Sequence, residues 1–305
     1  MRSVGVIING TAGSREGRQL TDRIYAAFEK HACRAQIALA SGKALRETAR
    51  SMRAEGFDVI VAGGGDGTVS TIASELVGRN VTLGVLPLGT LNHFARDLRI
   101  PFDIDEAIEV ICSGEVKMVD TASVNNRVFI NNSSLGIYPD QARLRQVWRA
   151  RIGRWPAMVV ASVIVLARFP FIRVVAEFNG QLISRRCPML MVSNNEYRFE
   201  PRNLTERERL DGGVLGIYLL NEERRAGLLR IALHSLVFKL EEATSFESYK
   251  SPEAVVHTHR KHVRVALDGE VFRLSTPLRY RSLPASLRVI TGVRSRESGD
   301  SEFEI

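Results

Sequence analysis

Four glycines fall within five positions where an apolar run ends: Val59-Ile60-Val61-Ala62 leads into Gly63-Gly64-Gly65-Asp66-Gly67-Thr68, and a helix-like segment follows over residues 69–77. The order is strand, bare loop, helix. Glycine at such a corner lets the backbone take positive φ and approach a ligand closely, so that successive N–H groups and the helix N-terminus can face phosphate oxygens. Asp66, set among the glycines, is placed to reach a phosphate-bound Mg²⁺. No Gly-Lys-Ser/Thr follows and the spacing is not that of the dinucleotide fingerprint, so neither the P-loop nor the Rossmann cofactor signature applies. A phosphate site of another kind is implied; the plain alternative is a tight strand-to-helix turn that binds nothing.

The chain's 305 residues, 45% of them apolar, suit two domains better than one. A formal net charge of +8 favours anionic partners such as a nucleotide or acidic lipid head groups. Cys33, Cys112 and Cys187 are too few and too far apart for a disulfide framework or a zinc site, which suits a reducing cytoplasm. The apolar stretch 4–8 is too short for a signal-peptide core and reads as a first strand ending at Asn9. Parallel strands would bring Asn9 to the edge where the glycine loop begins, and a simple turn asparagine is the other reading.

Helical spacing over 17–31, with Leu20, Ile24, Ala27 and Phe28 on one stripe, alternates with a strand at 35–40, a helix at 43–55, the glycine-loop strand and a strand at 82–86. Alternation of this kind predicts a parallel sheet with helices on both faces. The fourth strand runs into Pro87-Leu88-Gly89-Thr90-Leu91-Asn92-His93-Phe94-Ala95-Arg96-Asp97, where 92–98 has helical spacing and puts His93 and Asp97 on one face. A helix at 104–111 and a strand at 116–119 ending in Asp120 complete this half. From Val124 onward short β-type runs at 127–131, 172–178, 188–192, 214–220 and 263–267 are punctuated by Asn-Asn and Gly pairs, which predicts a second, mostly antiparallel domain.

Three motifs, Gly64-Gly65-Asp66-Gly67-Thr68, the stretch from Pro87 to Arg96, and Asp268-Gly269-Glu270, resemble in order and spacing the diacylglycerol kinase catalytic family of bacterial lipid kinases and sphingosine kinases, more distantly similar to NAD kinases. The resemblance spans nearly the whole chain. It implies an α/β nucleotide-binding domain over 1–122 and a β-sandwich lipid-substrate domain over 123–294, while the tail over 295–305, rich in Ser, Glu and Asp, reads as disordered from its composition. It also implies that Asn9, Gly64, Gly65, Asp66, Gly67, Thr68, Gly89, Thr90 and Asn92 contact ATP. Asp66 and Asp120 would belong to a Mg²⁺ network, with Glu270 the general base and Asp268 orienting it. For the last triplet an ordinary turn between strands is the alternative.

Two departures from the family pattern stand out. His93 occupies a position where bacterial relatives commonly carry an aspartate of the Mg²⁺ network, with Asp97 one helical turn on as a substitute. Leu210-Asp211-Gly212-Gly213 resembles the loop that holds a structural Mg²⁺ through Asp211, yet Gly212 stands where a second aspartate is usual. The expected activity is ATP-dependent phosphorylation of a hydroxyl on diacylglycerol or a related lipid. A weakened binding protein of the same fold and a soluble NAD kinase-like enzyme are the alternatives.

A basic segment with two tryptophans at 143–155 precedes the apolar run 157–167. Eleven residues are too few to span a bilayer in a helix, so a buried helix is expected, with the basic segment either solvated or resting on an anionic membrane surface. The setting is cytoplasmic with peripheral membrane contact, and no nucleic-acid partner is expected. His257, His259 and His262 cluster, and alternation along a strand accounts for the first two without a metal.

Overall fold

The computed structural model of the protein describes residues 3–10, 15–136, 171–197, 207, 209–220 and 246–292. The basic segment at 143–155, the apolar run at 157–167 and the tail from 294 lie outside the described residues. In chain order the elements are β1 (Val4–Asn9), α1 (Arg15–Lys30), β2 (Ala35–Ala40), α2 (Lys43–Ala54), β3 (Val59–Gly64), α3 (Asp66–Leu76), β4 (Thr82–Pro87), α4 (His93–Asp97), α5 (Ile104–Ser113) and β5 (Glu115–Val124). There follow β6 (Arg127–Phe129), β7 (Asn132–Gly136), β8 (Ile172–Phe178), β9 (Gln181–Cys187), β10 (Met189–Asn194), β11 (Leu215–Leu220), β12 (Phe246–Ser251), β13 (Glu253–Thr258), β14 (His262–Leu267), β15 (Glu270–Ser275) and β16 (Leu278–Thr291).

Contacts divide the chain into two compact units. The first comprises Met1–Gly65, Asn80–Lys117 and Arg288–Ile305, the second Asp66–Arg79 and Met118–Leu287. In the first unit β2, β1, β3 and β4 pair in that order, all parallel, and the end of β16 joins β4 with Arg288 level with Thr82. β3 and β4 are buried at every position, as expected of parallel strands covered on both faces. Ile24, Ala27 and Phe28 of α1 and Ile108 of α5 are buried. α5 is capped by Asp103, whose carboxylate accepts from the Asp105 and Glu106 N–H groups.

The second unit is antiparallel. β12, β11, β10, β7, β14 and β15 form one sheet in that order, while β13 pairs on either side with β16 and β8, and β8 with β9. Val192, Leu215, Ile217 and Val265 from the first of these sheets share a core with Val174, Ala176, Val256 and Tyr280 from the other strands. The α/β fold with a parallel sheet and the separate antiparallel unit are both as the sequence predicts. The sequence reading ends the strand at Asp120, but β5 runs on to Val124, because Ala122 and Val124 continue its buried face. β7, β9, β12, β15 and β16 have no place in that reading, and of β13 it has only the strand positions around His257. Among the described residues no helix is long and apolar enough to cross a membrane.

Candidate active site

Parallel register places the glycine corner in the first unit. Gly63 is level with Leu86 and Gly64 with Pro87, and the Leu88 N–H donates to the Gly64 carbonyl at 3.1 Å. The chain leaving β3 and the chain leaving β4 therefore run side by side, and Gly65 meets Gly89 backbone to backbone. A Cβ on Gly89 would fall inside the contact distance of the Gly65 Cα and lie 2.6 Å from Asn92 Oδ1, whereas one on Gly65 would sit 3.4 Å from the Gly89 Cα. None of Gly63, Gly65, Gly67 and Gly89 has positive φ, so the expectation that glycine serves here for unusual dihedrals is corrected: it serves for space. A Cβ on Gly67 would meet nothing within 4 Å, leaving open room beside the first turn of α3. Ile8 of β1 is level with Gly63, so Asn9 stands just beyond, exposed, at this same end of the sheet.

Asn92 takes a different task from the one expected. It is 7% exposed, and its side chain closes onto Gly89 twice: the Gly89 N–H donates to Oδ1 at 3.1 Å and Nδ2 donates to the Gly89 carbonyl at 3.0 Å. Both ends of the amide are used, so Asn92 shapes the Gly89 turn. Its φ of 51° is left-handed, a conformation asparagine tolerates better than most residues. Thr90 is exposed at the tip of the turn. Thr68 is buried, so from the first turn of α3 it can offer an N–H but not an outward hydroxyl. His93 and Asp97, the first and last residues of α4, are both partly buried.

The carboxylates lie in the second unit. Asp268-Gly269 is the two-residue turn of the β14–β15 hairpin, with φ of 47° and 88° and Leu267 paired to Glu270. Asp-Gly is the sequence such a turn selects, so the ordinary-turn reading is correct as far as it goes. The Asp268 side chain does more. Its carboxylate accepts from Ser70 Oγ of α3 at 2.5 Å and from the N–H groups of Ile130, Asn131 and Asn132 at 2.9, 2.8 and 3.0 Å. Burial pushes its pKa above the usual carboxylate value while these four donors pull it back, burial being the larger effect. Glu270 begins β15 and is exposed. Asp268 thus ties the hairpin to α3, and the exposed carboxylate of the pair is Glu270.

Asp120 is 2% exposed and accepts only N–H donors: Gly213 at 2.7 Å and Asn195 Nδ2 at 3.2 Å on Oδ2, and Ala285 at 2.8 Å on Oδ1. Its own N–H donates to the Leu210 carbonyl at 2.7 Å, and Asn195 Oδ1 accepts the Gly212 N–H at 3.0 Å. The loop at 210–213 is therefore closed onto Asp120 and Asn195 by hydrogen bonds. A Cβ at Gly212 would lie 2.7 Å from Asn195 Oδ1, so the missing second aspartate has no room as the loop stands. Asp211 is exposed and pairs with Arg209 at 3.0 Å. Among the described residues no three His, Cys, Asp or Glu side chains gather as metal ligands. Asp120, with N–H donors on both carboxylate oxygens, anchors the 210–213 loop; Asp66 stands at the start of α3, partly exposed.

Sequence reasoning missed Ser70 and Arg207. Arg207 is buried and donates from Nη1 to the carbonyls of Ile130 (2.6 Å) and Asn194 (3.1 Å), and from Nη2 to Asn131 Oδ1 at 2.9 Å, bracing the segment whose N–H groups hold Asp268. Ser70 had one available signal: it lies four residues after Asp66 on the same helix face. Arg207 had none, since its partners, the carbonyls of Ile130 and Asn194 and the side chain of Asn131, form no local sequence pattern with it.

Residues 3–124 match the diacylglycerol kinase catalytic domain. A diacylglycerol kinase of Staphylococcus aureus (strain bovine RF122 / ET3-1) is 29% identical over 237 residues, 73% of this chain and 72% of its own length. A diacylglycerol kinase of Staphylococcus saprophyticus is 28% identical over 196 residues, 61% of this chain and 62% of its own. Among solved structures, a diacylglycerol kinase from Bacillus anthracis str. Sterne has a TM-score of 0.72 and 23% identity over 95% of this chain and 97% of that one, a likeness of fold. Together these define a kinase of two units, one α/β and one antiparallel. Residues 3–124 carry the diacylglycerol kinase catalytic domain, and the chain is similar to bacterial diacylglycerol kinases over most of its length.

Proposed function

We propose that this protein is an ATP-dependent lipid kinase that transfers the γ-phosphoryl group to a hydroxyl of diacylglycerol or a related lipid. The observation that carries this reading is the 2.5 Å hydrogen bond from Ser70 to Asp268. It couples the helix that starts at the end of the glycine loop to the hairpin that begins β15 with Glu270, both within the second unit. Phosphoryl transfer asks mostly for positioning and charge neutralisation, and that coupling fixes a phosphate-facing helix end relative to an exposed carboxylate.

In this reading the first unit contributes the bare backbone at Gly64, Gly65 and Gly89 with Asn9 and Thr90 to nucleotide binding, and the second unit contributes Gly67 and the N–H groups of the first turn of α3. Mg²⁺ supplies neutralisation of phosphate charge when bound, and Asp66 is the residue that would hold it. Glu270 accepts the proton of the acceptor hydroxyl as the new P–O bond forms and ADP departs. Asp268 is a positioning residue. The nucleotide is assigned to residues 1–122, the lipid to 123–294, and the setting to the cytoplasm with peripheral contact to anionic membrane.

His93, at a position where relatives commonly have aspartate, favours a second reading: a protein that binds nucleotide or lipid without turnover. Incubation with γ-labelled ATP, Mg²⁺ and a total lipid extract separates the two. The first reading expects label in a lipid, abolished by Asp66→Asn; label in no lipid, with ATP still bound, overturns it.

A further inference from the structure

The end of the β14–β15 hairpin away from Glu270 carries a cluster of basic side chains that the kinase reading does not use. A cavity of about 380 Å³ opens there, lined by His259, Arg260, His262, Arg264 and Arg273. Among the described lining residues there is no carboxylate. Arg264 and Arg273 are directly opposed across the two strands, an arrangement that like charges disfavour. Leu135, Ile172 and Val263 provide an apolar floor, and Phe171 on the rim carries the Arg186 guanidinium 4.8 Å from its ring centroid. His257 lies on β13, whereas His259 falls in the turn beyond it, so of the two histidines expected to alternate along a strand only His257 is on one.

We infer that this cavity is a binding site for a phosphate-bearing anion, distinct from the nucleotide and acceptor sites, its Arg264–Arg273 pair lying three strand positions from the Leu267–Glu270 pair, about 10 Å at roughly 3.4 Å per residue. Guanidinium groups grip phosphate oxygens in pairs of parallel hydrogen bonds, and Arg260 and Arg273 both present one to the cavity from exposed positions. Imidazoles beside them add N–H donors. The apolar floor accommodates the carbon skeleton that carries the phosphate. Two sources share this chemistry, a phospholipid head group and a free phosphate.

The test compares the full-length protein with Arg260→Ala/Arg273→Ala, both exposed positions, and with Arg34→Ala/Lys43→Ala, which removes the same charge from the first unit. Inorganic phosphate is titrated while the ring resonances of His259 and His262 are followed, and co-sedimentation is measured with phosphatidylcholine vesicles with and without phosphatidate. Saturable shifts with phosphate, lost in the pocket variant and kept in the control, support the site with free phosphate as its ligand. No response to phosphate, together with phosphatidate-dependent binding weakened at least about tenfold in the pocket variant alone, supports it with a lipid head group. Loss of equal size in both variants, or no binding of either probe, overturns it. Thermal melts of the variants within the wild-type range keep misfolding out of the comparison.

Discussion

Gly89 and Gly67 make opposite demands although both are bare backbone. A methyl on Gly89 must displace either the Gly65 backbone or the Asn92 amide, whereas a methyl on Gly67 enters open space. Gly89→Ala is therefore expected to destabilise the first unit by about 1–3 kcal/mol, the usual range for overpacking. Gly67→Ala lies in a helix and is expected to keep or raise stability by up to about 1 kcal/mol, since glycine is the poorer helix former. If the room beside α3 belongs to phosphate, Gly67→Ala also weakens ATP binding. Urea unfolding and nucleotide titration on the same two variants check this; a Gly67→Ala protein with undiminished ATP affinity would show that the room serves nothing. Asp66 and the glycines could be read from sequence because they are contiguous. Ser70 offers only its place one helical turn after Asp66 and Arg207 offers nothing local, because their tasks depend on which distant segment folds against them.

At the scale of elements, the β14–β15 hairpin is held to α3 and to the 130–132 segment by one carboxylate. Asp268→Asn isolates that carboxylate, since asparagine suits the left-handed φ of the turn but brings a single acceptor oxygen to four donors. A loss of about 1.5–3 kcal/mol is expected from weakened charge-assisted hydrogen bonds, read as a lower urea midpoint with an unchanged slope. Slower phosphoryl transfer should accompany it, with little change in ATP affinity. The strands of the first unit were legible because parallel strands buried on both faces are short, strongly apolar runs. β9 was not: its sequence Gln181-Leu182-Ile183-Ser184-Arg185-Arg186-Cys187 is exposed along most of its length and lacks the apolar signature of a core strand. β15, Glu270-Val271-Phe272-Arg273-Leu274-Ser275, has two adjacent apolar residues that break strict alternation, and six positions are too short a span to separate it from loop.

At the scale of the whole molecule, β16 contributes to both units: its first residues pair with β13, while Arg288 and Val289 pair with β4, some two hundred residues earlier in sequence. No local pattern announces a parallel partner at that separation, which is why a division into consecutive segments looks natural from sequence and why the contacts divide the chain otherwise. Val289 is fully buried. Val289→Asp is expected to destabilise the first unit by about 4 kcal/mol or more, through an unpaired buried charge, and limited proteolysis should then cut within 3–65. The account as a whole stands on the hairpin that bears Glu270. Glu270→Gln keeps size and polarity but cannot take a proton, and position 270 is exposed, so folding should be unaffected. The decisive measurement is the rate of label transfer from ATP to diacylglycerol by this variant against the unaltered protein, with ATP affinity measured alongside. A fall of roughly 10²–10⁴ in rate at unchanged affinity is predicted; a rate within about threefold of the unaltered protein, well short of what a general base contributes, would contradict it.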